Sequence, residues 1–275
     1  MGKRLKLWLW MVLVFAVGII MWKPDEVKAA NPSEVTIRPH SRTSSYDITG
    51  DQKPDDIMLD ADYQKAYVYI NNKLCCTVKL GSYYHGILAK IYTLKNGKPF
   101  LYLYSNEIIH YGPTCGLYQY RSGKMVQIIN FNKVLKGGYE YYCEDIKVKN
   151  NTLTATIYMW SYSLGESRYD LDYVYKKGTL KQKNAFARIR VNDFQRNPAK
   201  QLVVNKTIDV YSKVSNGKKV YTLEKGNRVN FDKLYHGVHG EWIRVKFNGK
   251  YGWIKCLEKL QPTEPKMFSN IVYKT

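Results

Sequence analysis

The chain has 275 residues and a formal net charge of +20, and its length fits one large domain or two modest ones. Its five cysteines are an odd number whose spacing matches neither a disulfide framework nor a zinc cluster, which excludes a fully paired disulfide scaffold. The positive charge is concentrated between residues 176 and 260, as expected where one module meets a polyanion. A basic surface that only keeps the protein soluble is the alternative.

The N-terminus has the pattern of a secretory signal peptide. Three basic residues precede an apolar run without a charge, Leu7 to Trp22, and small residues follow up to Ala30. We expect cleavage before Ala30, so that residues 1–29 are the signal and the mature protein is extracellular or wall-associated, without a membrane span. An uncleaved anchor is the alternative, although the run is shorter than the roughly 20 residues of a membrane-spanning helix. Because of export, the expected polyanions are teichoic acids, acidic polysaccharides or anionic lipid headgroups, and not nucleic acid.

Residues 30–44 are predicted to be a linker, and an acidic loop follows it. This loop offers oxygen atoms at alternating positions. Four positions offer a side-chain oxygen, Asp47, Thr49, Asp51 and Asp55, and Lys53 can supply a backbone carbonyl oxygen. This spacing lets a short segment wrap a calcium ion, and the loop resembles the calcium loop of FG-GAP/VCBS-type β-repeats, which implies one bound calcium ion. The loop occurs only once, and Gln52 stands where glycine would accept a positive φ. A polar, hydrogen-bonded turn is therefore the alternative.

Short alternating apolar runs separated by turn residues fill residues 45–182. Turn dipeptides stand beside such runs at Asn71-Asn72, Asn96-Gly97 and Asn150-Asn151, which is typical of antiparallel hairpins. The only helix candidate is a weak one near Asn132 to Lys136. We therefore predict an all-β chain that begins with an antiparallel β-domain over residues 45–182.

A second β pattern follows a predicted basic linker over residues 183–199. Residues 200–260 contain five short runs that suit a small barrel, and residues 261–275 are predicted to be a tail. Four short motifs follow one another in this segment: Val210-Tyr211, Lys225-Gly226, Trp242-Ile243-Arg244-Val245 and Gly249-Lys250-Tyr251-Gly252-Trp253-Ile254. This order resembles a bacterial SH3-like (SH3b) domain, and the whole chain resembles SH3-containing exported proteins of Gram-positive anaerobes. The resemblance implies an SH3-like barrel that binds cell-wall peptidoglycan or another extracellular ligand.

A two-residue turn at Asn248-Gly249 fixes which residues of the last hairpin face each other. One face is mostly apolar, with Phe247 opposite Lys250, Val245 opposite Gly252 and Ile243 opposite Ile254. The other face interleaves three basic and three aromatic residues, which suits stacking, cation–π and charge contacts with an anionic chain. The predicted ligand residues pair as Lys246 with Tyr251, Arg244 with Trp253 and Trp242 with Lys255. Trp242 is the leading candidate, and burial of some of these rings, Trp253 first, is the alternative.

The sequence shows no catalytic constellation. His110 precedes Cys115 by five residues, but Pro113 and Gly116 make this segment a loop, and no third orienting group is evident. A bridge between Cys115 and Cys143 and a set of unpaired buried thiols are both open. We predict a non-enzymatic binding protein whose SH3-like domain targets a cell-wall polymer, either peptidoglycan or teichoic acid. A wall hydrolase with this domain as its targeting module, and a structural or protein-interaction module, are the alternatives.

Overall fold

The computed structural model describes residues 35–80, 84–107, 111–134, 140–190, 201–237, 239–257 and 265–271. The predicted signal peptide lies outside this part of the chain. The described strands pair antiparallel, and the one described helical element is a 3₁₀ turn at Phe131–Lys133, where the sequence indicates a weak helix. The all-β prediction is confirmed. No helix among the described residues is both long and apolar enough to cross a membrane.

The N-terminal half forms two antiparallel sheets. The front sheet has four strands in chain order, β2 (Ser41–Tyr46), β3 (Asp55–Ala61), β4 (Lys65–Ile70) and β5 (Lys73–Lys79). The middle sheet has five, β1 (Val35–Ile37), β6 (Tyr84–Thr93), β7 (Pro99–Glu107), β8 (Tyr111–Arg121) and β9 (Lys124–Asn130). At Asn71-Asn72 both turn residues have a positive φ, the backbone that matches the twist of hairpin strands, so the predicted turn is confirmed.

The remaining strands form one long sheet. Its first part contains β10 (Glu140–Lys149), β11 (Thr152–Ser161), β12 (Gly165–Lys176), β13 (Thr179–Gln182) and β14 (Phe186–Ile189). Its second part contains β15 (Leu202–Val203), β16 (Ile208–Tyr211), β17 (Lys219–Leu223), β18 (Arg228–Gly237), β19 (Gly240–Phe247) and β20 (Lys250–Lys255). The strand order is β10-β11-β12-β14-β18-β19-β20-β16-β17, with β13 beside β12 and β15 beside β18.

Two hydrophobic cores lie on opposite faces of the middle sheet. In β7, Leu101 and Leu103 face the front sheet, while Phe100 and Tyr102 face the long sheet, and all four side chains are buried. Successive side chains of a strand point to opposite faces, so this apolar run without polar alternation marks a sheet covered on both sides. Each such buried side chain contributes about 1.5–3 kcal/mol relative to an exposed one.

The structure corrects the predicted linkers and tail. The 30–44 linker contains β1 and the start of β2. The 183–199 linker contains β14, which pairs with both β12 and β18 and so continues one sheet across the predicted domain boundary. In the 261–275 tail, Phe268 is buried and forms a β-bridge with Val204. These segments are short and rich in basic or polar residues, so composition indicates loops, but they contain buried apolar side chains, namely Ile37, Ala187, Ile189, Met267, Phe268 and Ile271.

Candidate ligand surface of the C-terminal sheet

The last hairpin has the register that its turn predicts. Asn248 and Gly249 have φ values of 47° and 79°, and all six predicted cross-strand pairs of β19 and β20 are formed. Ile243, Val245 and Ile254 on one face are fully buried in the core. The opposite face contains the six predicted ligand residues, as expected from strand alternation.

Gly252 lets this hairpin pack closely against β16. A Cβ atom at Gly252 would lie 2.3 Å from the Val210 Cγ1 atom and 3.2 Å from the Tyr211 carbonyl oxygen. The glycine that precedes Trp253 and Ile254 is therefore required by the close approach of two strands, a role that glycine commonly has in strands.

The two tryptophans are buried, which corrects the expectation that Trp242 leads the ligand surface. Trp242 is 6% exposed and Trp253 8% exposed. The Trp242 indole Nε1 atom donates a hydrogen bond to the His239 carbonyl oxygen at 2.8 Å, and the Tyr211 ring packs edge-on against it at 5.8 Å. Trp242 therefore has a structural partner for its only polar atom, as buried tryptophan usually does.

Phe186 covers Trp253. The two rings have centroids 5.0 Å apart and an interplanar angle of 32°, and Phe186 also lies 5.8 Å from the ring of Tyr235. Phe186 belongs to β14, the strand inside the predicted linker. The sequence offers one signal for it, the alternation of Phe186-Ala187-Arg188-Ile189, in which Ala187 and Ile189 are buried.

Cross-strand pairing extends the predicted surface over five strands. Phe186 pairs with Tyr235, which pairs with Trp242, which pairs with Lys255. In the next row, Arg188, Lys233, Arg244, Trp253 and Tyr211 pair in succession across β14, β18, β19, β20 and β16. Directly opposed residues lie on the same face of an antiparallel sheet. We call this face, completed by Lys246 and Tyr251, the basic–aromatic face.

Carboxylates neutralise two of the arginines on this face. Arg244 forms a bidentate ion pair with Asp232, and the Nε to Oδ1 distance is 2.8 Å. This pair and the Asp232 charge raise the pKa of the Arg244 guanidinium, against a smaller opposing effect of burial. Arg188 forms a second bidentate pair, with Asp172, at 2.7 and 3.0 Å. Bidentate arginine–carboxylate pairs are the strongest of their kind, so neither arginine is a simple open cation.

The accessible part of the face is centred on Tyr251. Tyr251 is 52% exposed, with the Arg244 guanidinium 4.7 Å and the Lys246 ammonium 5.3 Å from its ring centroid. Lys246 and Lys255 are exposed. An aromatic ring flanked by cations can stack on a sugar or polyol while the cations contact anionic groups. We call Lys246, Tyr251 and the edge of Arg244 the Tyr251 patch.

The acidic loop is a hydrogen-bonded turn. The Asp47 carboxylate accepts backbone N–H groups of Gly50, Asp51 and Gln52 at 2.5 to 3.1 Å. The Asp55 carboxylate, 1% exposed, accepts those of Ile48 and Thr49 and the Asn71 side chain. Gln52 nevertheless takes a φ of 71°, the conformation expected only of glycine there.

The predicted metal ligands have other roles in this turn. The Thr49 hydroxyl lies 3.3 Å from Asp55 Oδ1, and Asp51 accepts the N–H of Lys53 at 2.9 Å. Across the described residues, no group of three or more His, Cys, Asp or Glu side chains converges in a way that could hold a metal ion. These hydrogen bonds are those of a polar turn, and the bound calcium ion stays a prediction.

The structure describes only one member of the His110–Cys115 pair that the sequence singles out. His110 lies outside the described residues, and Cys115 is buried in the core between the middle and long sheets. The exposed His40 Nδ1 atom lies 2.7 Å from Asp60 Oδ1. Comparison with family models, with curated proteins and with solved structures gave no match.

Proposed function

We propose that this is an exported, non-enzymatic protein that binds an anionic cell-wall polymer of the teichoic-acid type. The part of the chain that would bind is an SH3-like module formed by β16–β20. Support for that module comes from the motif order between Val210 and Ile254 and from the antiparallel strand order β18-β19-β20-β16-β17. Export rests on the signal predicted at residues 1–29.

The observation that carries the proposal is the geometry of the Tyr251 patch. Its half-exposed ring is within cation–π distance of two basic groups, and exposed Lys255 lies further along the same face. A polyol phosphate chain alternates anionic phosphodiesters with apolar CH surfaces. The lysines would bind the phosphates, and the tyrosine ring would stack on the polyol or sugar.

A structural feature limits how the module would act. Because β14 pairs with both β12 and β18, the binding sheet continues into β10–β13, which precede the module in the chain. The Ser161 hydroxyl also donates a hydrogen bond to the buried Glu241 carboxylate across this junction. The module would therefore present the rest of the protein in a fixed orientation on the wall, unlike a domain on a flexible linker.

Co-sedimentation of the mature chain with wall sacculi tests the polymer class. Sacculi that retain teichoic acids should retain the protein, and sacculi stripped of them should lose most of it. Since charge contacts dominate, raising the salt from about 50 to about 200 mM should weaken binding roughly tenfold if the two lysines take part. Equal binding to stripped sacculi, without salt dependence, would contradict the proposal and favour recognition of peptidoglycan itself.

Labelled peptidoglycan distinguishes the enzymatic alternative. Incubation with the pure mature chain should release no soluble fragments over the time in which binding reaches equilibrium. Release of fragments would show a wall hydrolase and overturn the non-enzymatic part of the proposal.

A further inference from the structure

Two buried cysteines lie between the middle sheet and the long sheet. Cys115 lies in β8 and Cys143 in β10, and each is 1% exposed. Both belong to the core that fills the space between these sheets. The side chains come from strands that do not pair with each other, so only packing holds the two thiols together.

Tyr102 contacts both cysteines. Its hydroxyl oxygen lies 3.3 Å from the Cys115 Sγ atom and donates a hydrogen bond to the Cys143 carbonyl oxygen at 2.8 Å. The Cys143 thiol donates to the Asp145 carbonyl oxygen at 3.5 Å, and each of the two thiols shifts the pKa of the other, as neighbouring groups do. Burial opposes ionisation of Cys115, but the hydrogen bonds from Cys143 and Tyr102 outweigh it and lower the pKa of Cys115. Burial raises the pKa of Cys143.

The other three cysteines lie elsewhere. Cys75 belongs to the core on the opposite face of the middle sheet, and Cys76 packs against that same core. Cys256 lies near Glu241, between β19 and the β11–β12 turn, where its N–H donates to the Glu241 carbonyl oxygen at 2.8 Å. Cys115 and Cys143 are therefore the pair that can form a disulfide, and the other three of the five cysteines would stay as thiols.

We propose that Cys115 and Cys143 form an inter-sheet disulfide that fastens the middle sheet to the long sheet in the exported protein. Disulfides persist in oxidising extracellular compartments, and a bridge between the two facing sheets is a recurrent device of β-sandwiches. The site is a modification site distinct from the Tyr251 patch, and it does not depend on polymer binding.

The oxidation is a thiol–disulfide exchange with an external disulfide. The Cys115 thiolate attacks one sulfur of an oxidised oxidoreductase or low-molecular-weight disulfide, and the other sulfur leaves as a thiolate. Cys143 then gives up its proton and attacks the mixed disulfide, which releases the second thiol. Two protein thiols lose two protons and two electrons, and the external disulfide becomes two thiols. Because both sulfurs are buried in the native core, the exchange takes place while the chain folds.

Refolding the full mature chain in a glutathione buffer tests the proposal. After remaining thiols are blocked, a tryptic map without reduction should contain one cross-linked pair of peptides, with Cys115 and Cys143. Cys75, Cys76 and Cys256 should be recovered blocked as thiols. Recovery of Cys115 and Cys143 as blocked thiols at excess oxidised glutathione, or a cross-link to any other cysteine, would overturn it.

A stability comparison provides a second readout. The bridge closes a loop of 29 residues counted from Cys115 to Cys143, which should raise the Tm of the oxidised chain above that of the reduced chain by roughly 5–15 °C. Cys76→Ala, as the matched control, should keep this difference. The double variant C115A/C143A should abolish it. An equal Tm for oxidised and reduced wild-type chains would contradict the bridge, and this measurement needs no variant to fold.

Discussion

Phe186 and Trp253 stack with their ring centroids 5.0 Å apart, although one belongs to a segment with the composition of a linker and the other to the last hairpin. This contact covers Trp253, one of the residues that the sequence predicts to bind a ligand. It also ties the orientation of the C-terminal strands to the rest of the long sheet.

Truncation of Phe186 should therefore destabilise the C-terminal strands. Phe186→Ala removes the contacts with Trp253 and Tyr235 and the approach of the Lys233 ammonium at 6.0 Å. Since Phe186 is only partly buried, we expect a loss of about 2 kcal/mol in the free energy of unfolding. Urea unfolding followed by tryptophan fluorescence measures it, with a red shift of the native emission as Trp253 meets water.

Tyr63→Ala is the matched control, because Tyr63 is 92% exposed. It should leave both stability and emission unchanged. If Phe186→Ala had the same native emission spectrum and the same stability as the wild type, β14 would not be what keeps Trp253 buried.

Gly252→Ala should be destabilising because of the close approach of β16. The added Cβ atom would lie 2.3 Å from Val210 Cγ1, so β16 or β20 must shift, at a cost of about 2 kcal/mol. Gly86→Ala, a substitution in a strand with no heavy atom within 4 Å of the new Cβ, should change stability by less than about 1 kcal/mol. Chemical denaturation of both variants tests this, and equal effects of the two substitutions would contradict the packing argument.

The buried carboxyl of Glu241 should make stability fall as pH rises. Burial raises its pKa from 4.5 to about 7, against opposing hydrogen bonds from Cys256 and Ser161. Between these two pH values the folded chain holds a proton that the unfolded chain has lost, so stability decreases through this window and levels off above about pH 7. A shift of this size corresponds to about 3 kcal/mol.

Glu241→Gln keeps an acceptor for the Ser161 hydroxyl and removes the titration. Between pH 5 and pH 8, the change in the free energy of unfolding should therefore be about 3 kcal/mol smaller for the variant than for the wild type. Urea unfolding of both proteins at the two pH values measures the difference. An identical pH dependence would show that Glu241 does not titrate in this range.

Asp55 should stabilise the acidic turn without calcium. In Asp55→Asn, an amide NH₂ would face the N–H donors that now reach the carboxylate, which should cost about 2–3 kcal/mol. Asp51→Asn, at an exposed carboxylate that accepts the Lys53 N–H, is the matched control and should be nearly neutral. Calorimetric melting of the wild type should be the same with calcium and with chelator, and a rise in Tm with calcium would contradict the turn.

The local structure of the last hairpin can be predicted from the sequence, but the residues that pack against the hairpin cannot. Asn248-Gly249 determines the register, because a two-residue turn leaves only one pairing, and all six pairs are found. Burial of Trp242 could not be predicted from that register, because it depends on Tyr211 and on the His239 carbonyl. Alternation alone does not show whether the second face of a sheet is covered.

The acidic loop illustrates the same limit. Its spacing fits calcium and also a turn, since both need oxygen atoms at alternating positions. The Asn71 side chain, which contacts Asp55 from the β4–β5 turn, lies 16 residues away. No pattern within the loop predicts that long-range donor.

Affinity for teichoic-acid-bearing sacculi, measured on variants of the Tyr251 patch, tests the central claim most directly. The wild type, the double variant K246A/Y251A and the charge control Lys124→Ala, an exposed lysine of the middle sheet, should be compared at low salt. We expect the double variant to bind roughly tenfold or more weakly, with a shallower salt dependence and an unchanged Tm, and Lys124→Ala to bind like the wild type. Wild-type affinity of the double variant, or an equal loss in the control, would contradict binding through the Tyr251 patch.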